Sequence, residues 1–202
     1  PMTMAASLGT GFLKTDPSLD SPDIQFHIQP FSASAPADGP HKFSAFTASV
    51  LQMRPESTGH IALKSSDWRD HPAINPNYLA TKLDQDTIVK GIQIARKISQ
   101  FEPLKTHITE EFSPGLDIAI DDYDATLQWA RETSVTIYHP TGTCKMGQGD
   151  MAVVDARLRV HGINGLRVAD CSIMPTITSG NTNAPAIMIG EKLSDMILED
   201  AK

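Results

Sequence analysis

The stretch "YHPTGTCKMG", residues 138–147, contains residue types and spacings suited to chemistry. Histidine changes protonation near neutral pH, so His139 has the chemistry of a general acid or base. Pro140 favours an extended backbone at His139, which helps fix where the ring points. A zinc site with Cys144 and Cys171 would need a fourth ligand, and no close CxxC or HxxxH pair announces one. From these residues alone, an ordinary structural histidine is the simpler interpretation, and catalysis is the alternative.

A second polar cluster, "SGNTNAP" at residues 179–185, precedes the last apolar segment of the chain. Pro185 suits the first turn of a helix, and Asn181 or Asn183 would cap it. The buried face of this helix is predicted to carry Ile187, Ile189, Leu193, Met196 and Ile197. Its N-terminus would favour an anion or an electron-rich ring edge, although a routine capped helix explains the same residues.

Asp170 lies in the stretch "RVADCSIMP", at the end of a predicted strand and before a small turn. Many folds place a carboxylate at the end of a sheet, where ligands bind. The alternative is that the Asp170 side chain caps its own turn. We expect no metal in either case.

The elements that position these residues can be read from hydrophobic periodicity. Strands are predicted in "DIQFHIQPF", "FSAFTASVLQM" and "GHIALKS", and further short strands in residues 152–175. A helix is predicted from Asp84, with Asp84 or Asp86 as its N-cap and Arg96 or Lys97 facing outward. A second helix is predicted at about residues 122–131. The inward face of the first helix is predicted to carry Ile88, Val89, Ile92, Ala95 and Ile98.

Composition excludes several classes of protein. The chain has 202 residues, a hydrophobic share of 40%, a charged share of 20% and a net charge of -7. Without a basic cluster, neither nucleic acid nor an anionic membrane is an expected main partner. No apolar run reaches the roughly 18–20 residues that cross a bilayer. Sparse cysteines favour a reducing compartment, so we predict a cytoplasmic location.

The motifs together resemble a known family. "YHPTGTCKMG" and the run from "VVDARLRVHG" to "EKLSDMI" are similar to the C-terminal signature of the glucose-methanol-choline (GMC) oxidoreductases, which are FAD-dependent alcohol oxidases and dehydrogenases. "LQMRPESTGHIALKSSDWRDHPAINPNYL" resembles the middle segment of that family, and "PDIQFHIQPF" the strand before it. The resemblance covers nearly the whole chain in the family order. The asparagine at position 181 resembles the choline dehydrogenase branch.

The resemblance implies a role for eight residues. His139 matches the histidine that takes the alcohol proton and faces the flavin, and Asn181 matches the second catalytic position. The remaining six match positions that contact FAD. Ala169 and Asp170 belong to the ribityl and phosphate region. The turn and helix start beneath the flavin pyrimidine edge comprise Thr182, Asn183, Ala184 and Pro185.

The implied fold is α+β, a mostly antiparallel substrate-domain sheet flanked by helices. Residues 1–140 would form a partial substrate-binding region, and residues 141–202 a C-terminal segment that completes the FAD-binding domain. The G-x-G-x-x-G loop of the N-terminal Rossmann half does not occur in this sequence. We therefore expect a chain that lacks that half, as a truncated form, a split protein or a proteolytic fragment, and that is inactive alone.

The resemblance leaves three functions open. In the first, the chain is part of an alcohol dehydrogenase or oxidase that acts on a small alcohol, partnered by the missing N-terminal FAD-binding domain. Oxygen or a quinone would then be the electron acceptor. In the second, it belongs to a hydroxynitrile lyase-like member in which FAD is structural. In the third, it is a non-catalytic fragment that docks to a flavin domain.

Overall fold

The computed structural model describes residues 7–34 and 38–201, which divide into two compact units. The first unit comprises the described parts of Pro1–Ser57 together with Leu79–Ser134. The second comprises Thr58–Tyr78 and the described part of Val135–Lys202. The predicted regions, residues 1–140 for substrate binding and residues 141–202 for the FAD-binding domain, were defined by function. That assignment stays a prediction.

The first unit contains a three-stranded antiparallel sheet. Its strands are β1 (Gly9–Leu13), β2 (Ile24–Gln29) and β3 (Thr47–Gln52), and β2 lies in the centre. Ile24 and Phe26 of β2 are buried, as the period of two predicts, but Gln25 between them is also buried and Ile28 is only partly buried, so the alternation is incomplete. Strand β1 was not predicted, because its sequence "GTGFL" carries two glycines and little strand propensity. Its pairing with β2 supplies the order that its composition lacks.

Two helices complete the first unit, α1 (Lys82–Ile98) and α2 (Tyr123–Thr133). Asp122 caps α2 by accepting a hydrogen bond from the backbone N–H of Ala125, close to the predicted start. The N-cap of α1 is Thr81, so the prediction of Asp84 or Asp86 was wrong. Asp84 lies within the first turn, where a carboxylate also suits the helix dipole.

Asp84 is buried because it fixes the loop that leads out of β3. Its carboxylate accepts hydrogen bonds from Gln52 Nε2 at 2.9 Å and from the backbone N–H groups of Glu56 and Ser57 at 2.9 and 2.8 Å. Burial raises the pKa of this carboxyl, and the hydrogen bonds outweigh burial, so the pKa lies below its ordinary value. The residue expected to cap the helix therefore holds a long-range contact.

Gly91 allows α1 to approach the sheet closely. A Cβ atom built on Gly91 would lie 2.5 Å from Cγ1 of Val50 on β3, well inside van der Waals contact. The same atom would lie 3.5 Å from Cγ2 of Ile24 on β2. Val89 and Ile92, on either side of the glycine, are buried in this layer. A residue with a side chain would push the helix away from the strands.

We expect Gly91→Ala to lower the free energy of unfolding by about 1–3 kcal/mol, the usual cost of overpacking a core. Urea denaturation measures this change. Val50→Ala removes the methyl group that the new Cβ would meet, so the double variant should show a favourable coupling between the two positions. Strict additivity of the two changes would contradict the close approach.

The second unit has little regular sheet. Strand β4 (His60–Ala62), which lies in the predicted strand "GHIALKS", pairs with β5 (Ala73–Asn75) in a two-stranded antiparallel sheet that is separate from the first. Residues 152–175, where several short strands were predicted, form turns, isolated bridges and a short 3-10 helix instead of regular strands. Apolar residues from these turns nevertheless make one core. Its buried members are Val154, Leu158, Ile173, Met174 and Ile189.

The last helix, α3 (Asn183–Asp200), packs on this core along a narrow stripe. Ile189 is buried, and Leu193 and Met196 are partly buried against the cluster. Ile187 and Ile197 are 60% and 48% exposed, so their predicted burial was wrong. Among the described residues, no helix combines the length and apolarity needed to cross a bilayer. The whole described structure is α+β with antiparallel sheets, as predicted.

Two arginines fix the C-terminal end of α3. Arg157 Nη2 donates to the carbonyl of Met196 at 3.1 Å and to Oδ1 of Asp200 at 2.8 Å. Arg167 pairs with the other oxygen of Asp200 and also donates to the carbonyl of Arg157. The bond from Arg167 lowers the pKa of Asp200. Cations at this end also complement the negative pole of the helix.

Candidate active site

The second unit brings together three side chains that are far apart in sequence. His139 Nδ1 lies 2.7 Å from Oγ1 of Thr182. The other ring nitrogen of His139, Nε2, lies 3.0 Å from Nδ2 of Asn181. Both ring nitrogens are therefore within hydrogen-bond distance of neighbouring residues of one short segment. The two residues to which the resemblance assigned catalysis, His139 and Asn181, are in direct contact.

The backbone before His139 is held in an unusual conformation. Tyr138 has a φ of 63°, in the left-handed region that residues other than glycine rarely adopt. Its N–H donates to Oγ1 of Thr136 at 3.0 Å. The side chain of Tyr138 is 72% exposed, so packing of its ring does not explain the conformation. The left-handed residue and Pro140 together set the direction in which the half-buried His139 ring points.

The backbone before Asn181 also turns sharply. Gly180 has a φ of 130°, which favours glycine, and its N–H donates to the carbonyl of Thr178 at 2.9 Å. This turn leaves Asn181 exposed and Thr182 buried, so the two neighbours approach His139 from different environments. The Asn181 side of the imidazole is consequently the side open to a small ligand.

The histidine loop is tied to the segment that follows Asp170. The N–H of Cys144 donates to the carbonyl of Ser172 at 3.0 Å, and the N–H of Met146 donates to that of Ile173 at 2.8 Å. Ile173 is itself part of the buried core. His139 thus rests on a loop with a fixed backbone partner, which suits a group that must keep its orientation.

The other residues that the resemblance assigned to FAD occupy two places in the second unit. Asp170 accepts a hydrogen bond from the N–H of Ser172 at 2.7 Å and caps a short 3-10 helix, Cys171–Ile173. Ala169 packs partly buried against the core. Asn183, Ala184 and Pro185 form the first turn of α3. Contacts of these residues with a cofactor stay predictions.

The N-terminus of α3 has the properties of an anion site. The N-cap is Thr182, so neither Asn181 nor Asn183 is the N-cap as predicted, and the Thr182 side chain makes no capping bond. Asn183 and Ala184 are exposed, and Pro185 has no N–H. The exposed turn carries roughly half a positive charge. An electron-rich ring edge would be stabilised there.

The two cysteines were considered as metal ligands in the sequence. Cys144 and Cys171 are free and partly buried. Within residues 7–34 and 38–201, no group of three or more histidine, cysteine or acidic side chains is arranged to hold a metal ion. The contact between Thr182 and His139 was not predicted, because the resemblance assigned Thr182 to the flavin and the cap to a neighbouring asparagine was predicted from local sequence. Its position next to Asn181 was the available signal.

A histidine and an amide at an exposed edge lie beside the start of α3, so the arrangement can exchange a proton with a small ligand close to a place that suits negative charge. Comparison with known proteins identifies the family of the chain. The sequence profile of the GMC oxidoreductases matches residues 55–190. The chain belongs to the GMC oxidoreductase family, since this match covers more than half of its residues.

Individual relatives agree with this assignment. An oxygen-dependent choline dehydrogenase of Pseudomonas fluorescens (strain SBW25) is 43% identical over 187 residues, which is 93% of this chain and 33% of that protein. The chain thus spans about a third of the length of the curated relatives it matches. Among solved structures, pyridoxine 4-oxidase from Mesorbium loti matches with a TM-score of 0.81 and 28% identity, over 94% of this chain and 37% of that one.

A formate oxidase variant from Aspergillus oryzae RIB40, studied for its FAD modification, matches with a TM-score of 0.78 and 29% identity. The match covers 90% of this chain and 32% of the formate oxidase chain. The exposed first turn of α3 suits a group that gains negative charge, as the pyrimidine edge of FAD does on reduction.

Proposed function

We propose that this chain is the C-terminal part of an FAD-dependent alcohol dehydrogenase or oxidase, and that His139 accepts the hydroxyl proton of the alcohol. The main support for this proposal is the contact between His139 Nε2 and the Asn181 amide at the exposed edge of the second unit. Similarity to choline dehydrogenases supports a small alcohol as the substrate class. Because the chain spans about a third of those relatives, activity belongs to a longer protein or an assembled complex.

The two side chains would act on the same oxygen. The alcohol O–H would donate to His139 Nε2, and the alcohol oxygen would accept from Nδ2 of Asn181, so the substrate replaces the direct contact between the residues. As the proton moves to Nε2, negative charge develops on the oxygen and the amide hydrogen bond strengthens. The carbon then becomes a better hydride donor. With the hydride passed to a two-electron acceptor, the products are a carbonyl compound, the reduced acceptor and a protonated His139.

FAD supplies a two-electron acceptor for the hydride when it is bound. The residues of this chain that would contact it are Ala169 and Asp170 on one side and the first turn of α3, from Thr182 to Pro185, on the other. We propose that the N-terminal Rossmann half found in the family binds the ADP part of FAD. The chain without that half would neither bind FAD well nor turn over substrate. Oxygen or a quinone would reoxidise the flavin.

Anaerobic mixing of the full-length flavoprotein with choline and a series of primary alcohols tests this function. We expect at least one alcohol to remove the absorbance of oxidised flavin, with one carbonyl product formed per flavin. Cleavage of a cyanohydrin without any change in flavin absorbance would instead support a lyase. If this chain is stable, monomeric and inert until it is mixed with a separate Rossmann chain, a fragment that docks to a flavin domain is favoured instead.

A further inference from the structure

We propose that Thr182 is a positioning residue that holds His139 in the tautomer protonated at Nδ1, which leaves Nε2 unprotonated and ready to accept a proton. This inference rests on the proposed function of His139. It assigns Thr182 a role toward the histidine, in addition to the flavin contact implied by the family resemblance. Three features of Thr182 support this role: the directions of the hydrogen bonds around His139, the absence of a capping bond from the Thr182 side chain, and the burial of Thr182.

The direction of the two hydrogen bonds gives the tautomer. Nδ2 of Asn181 is an amide nitrogen and can only donate, so Nε2 of His139, 3.0 Å away, must be the acceptor. A neutral imidazole with a lone pair on Nε2 carries its proton on Nδ1. That N–H faces Oγ1 of Thr182 at 2.7 Å, a short hydrogen bond in which the hydroxyl oxygen accepts. Thr182 therefore selects the form that a general base needs.

The hydroxyl group of Thr182 does not cap α3, although Thr182 is at the N-cap position. Threonine at an N-cap ordinarily accepts a hydrogen bond from the second or third helical N–H, a contact worth about 1 kcal/mol. Thr182 makes no such bond. The third residue of α3 is Pro185, which has no N–H to offer. The proline removes one competing donor, and the hydroxyl group accepts from His139 instead.

Burial of Thr182 protects its hydrogen bond with Nδ1 of His139 from solvent, whereas the Nε2 side of the ring is more open. Thr182 is only 6% exposed, whereas Asn181 is exposed, so solvent competes far less on the Nδ1 side of the ring than on the Nε2 side. The carbonyl of Thr182 is held by the N–H of Ala186 at 2.9 Å and lies 3.9 Å from Sγ of Cys171. A fixed backbone and a buried hydroxyl group keep the imidazole in one orientation.

Thr182→Val and Thr182→Ser in the full-length flavoprotein test the assignment. Valine keeps the shape and removes the acceptor, so the rate constant of flavin reduction at saturating alcohol should fall roughly ten- to a hundredfold. This is the range seen when the partner behind a metal-binding histidine is removed. KM should change little. Serine restores the hydroxyl group and should restore most of the rate. Equal losses in both variants would overturn the proposal, as would an unchanged rate in Thr182→Val.

Nitrogen-15 NMR of the histidine-labelled flavoprotein reads the tautomer without turnover. We expect the His139 signals, identified by their loss in His139→Gln, to show a proton on Nδ1 in the wild type and in Thr182→Ser. Thr182→Val should show a mixture of tautomers. A proton on Nε2 in the wild type would refute the role of Thr182 even if alcohol reduces the flavin. If alcohol does not reduce the flavin, the proposed function fails while the NMR result still decides the tautomer.

Discussion

Replacing His139 with glutamine is expected to slow the reduction of bound flavin by alcohol about a hundred- to ten-thousandfold, the usual contribution of a general base. Glutamine is polar and can hydrogen bond to the groups near His139, Oγ1 of Thr182 and Nδ2 of Asn181. It cannot accept a proton at neutral pH. The variant therefore removes proton transfer while it preserves much of the hydrogen bonding around the site.

Stopped-flow mixing under anaerobic conditions measures this step directly, because flavin absorbance reports hydride transfer before reoxidation. His161→Gln is a matched control. His161 is exposed, and its Nε2 lies 3.0 Å from the carbonyl of Gly147, away from Asn181 and Thr182. This control should reduce flavin at nearly the wild-type rate. Flavin content must be equal in both variants. If the flavin of His139→Gln is reduced by alcohol at the wild-type rate, His139 is excluded as the base.

The helices show what local sequence can predict. The period of α1 and the start of α2 depend on neighbouring residues, and both were predicted within a few positions. The cap of α1 was not, because Asp84 looks like a cap in sequence but binds Glu56 and Ser57, some thirty residues earlier. Such a contact is decided by tertiary packing, which overrides a local preference.

Burial was predicted less well for the same reason. The helical period placed Ile187 and Ile197 of α3 in the core, yet only the row through Ile189 contacts the turns beneath it. A periodic pattern identifies an apolar face but not how wide a surface is covered by the partner. Arg96, expected to face outward because it is charged, is 7% exposed. Its partners lie in a loop whose path the sequence did not reveal.

The candidate site was predictable in its residues and not in its geometry. His139 and Asn181 were identified because the motifs around them resemble a family. No spacing rule places a threonine hydroxyl group against a histidine 43 residues earlier. That contact depends on the φ of Tyr138 and of Gly180, and only glycine among these two residues signals an unusual backbone in sequence. The resemblance supplied the identity of the pair, and the fold supplies the tautomer.

Arg96 gives the largest stability effect that we expect in the first unit. Its Nε lies 2.8 Å from Oε1 of Glu111, and Nη2 donates to the carbonyls of Gly115 and Ile118 at 3.3 and 2.8 Å. One buried guanidinium thus fixes the loop after α1 at three points. Arg96→Met keeps most of the apolar stem but removes the guanidinium from the largely buried Glu111 carboxylate and from the Ile118 carbonyl, and it leaves the Gly115 carbonyl with the N–H of Ile118 as its donor. Loss of one partner of a buried pair costs about 3–5 kcal/mol.

Urea denaturation of the full-length protein should show this loss, and hydrogen exchange should locate it in peptides that cover residues 96–118. Arg131→Met is the matched control, because Arg131 is exposed in the last turn of α2 and its replacement should change stability by less than about 0.5 kcal/mol. The double variant Arg96→Met with Glu111→Met removes both charges and should recover much of the stability. If it is no more stable than Arg96→Met alone, the unpaired carboxylate is not the cause of the loss.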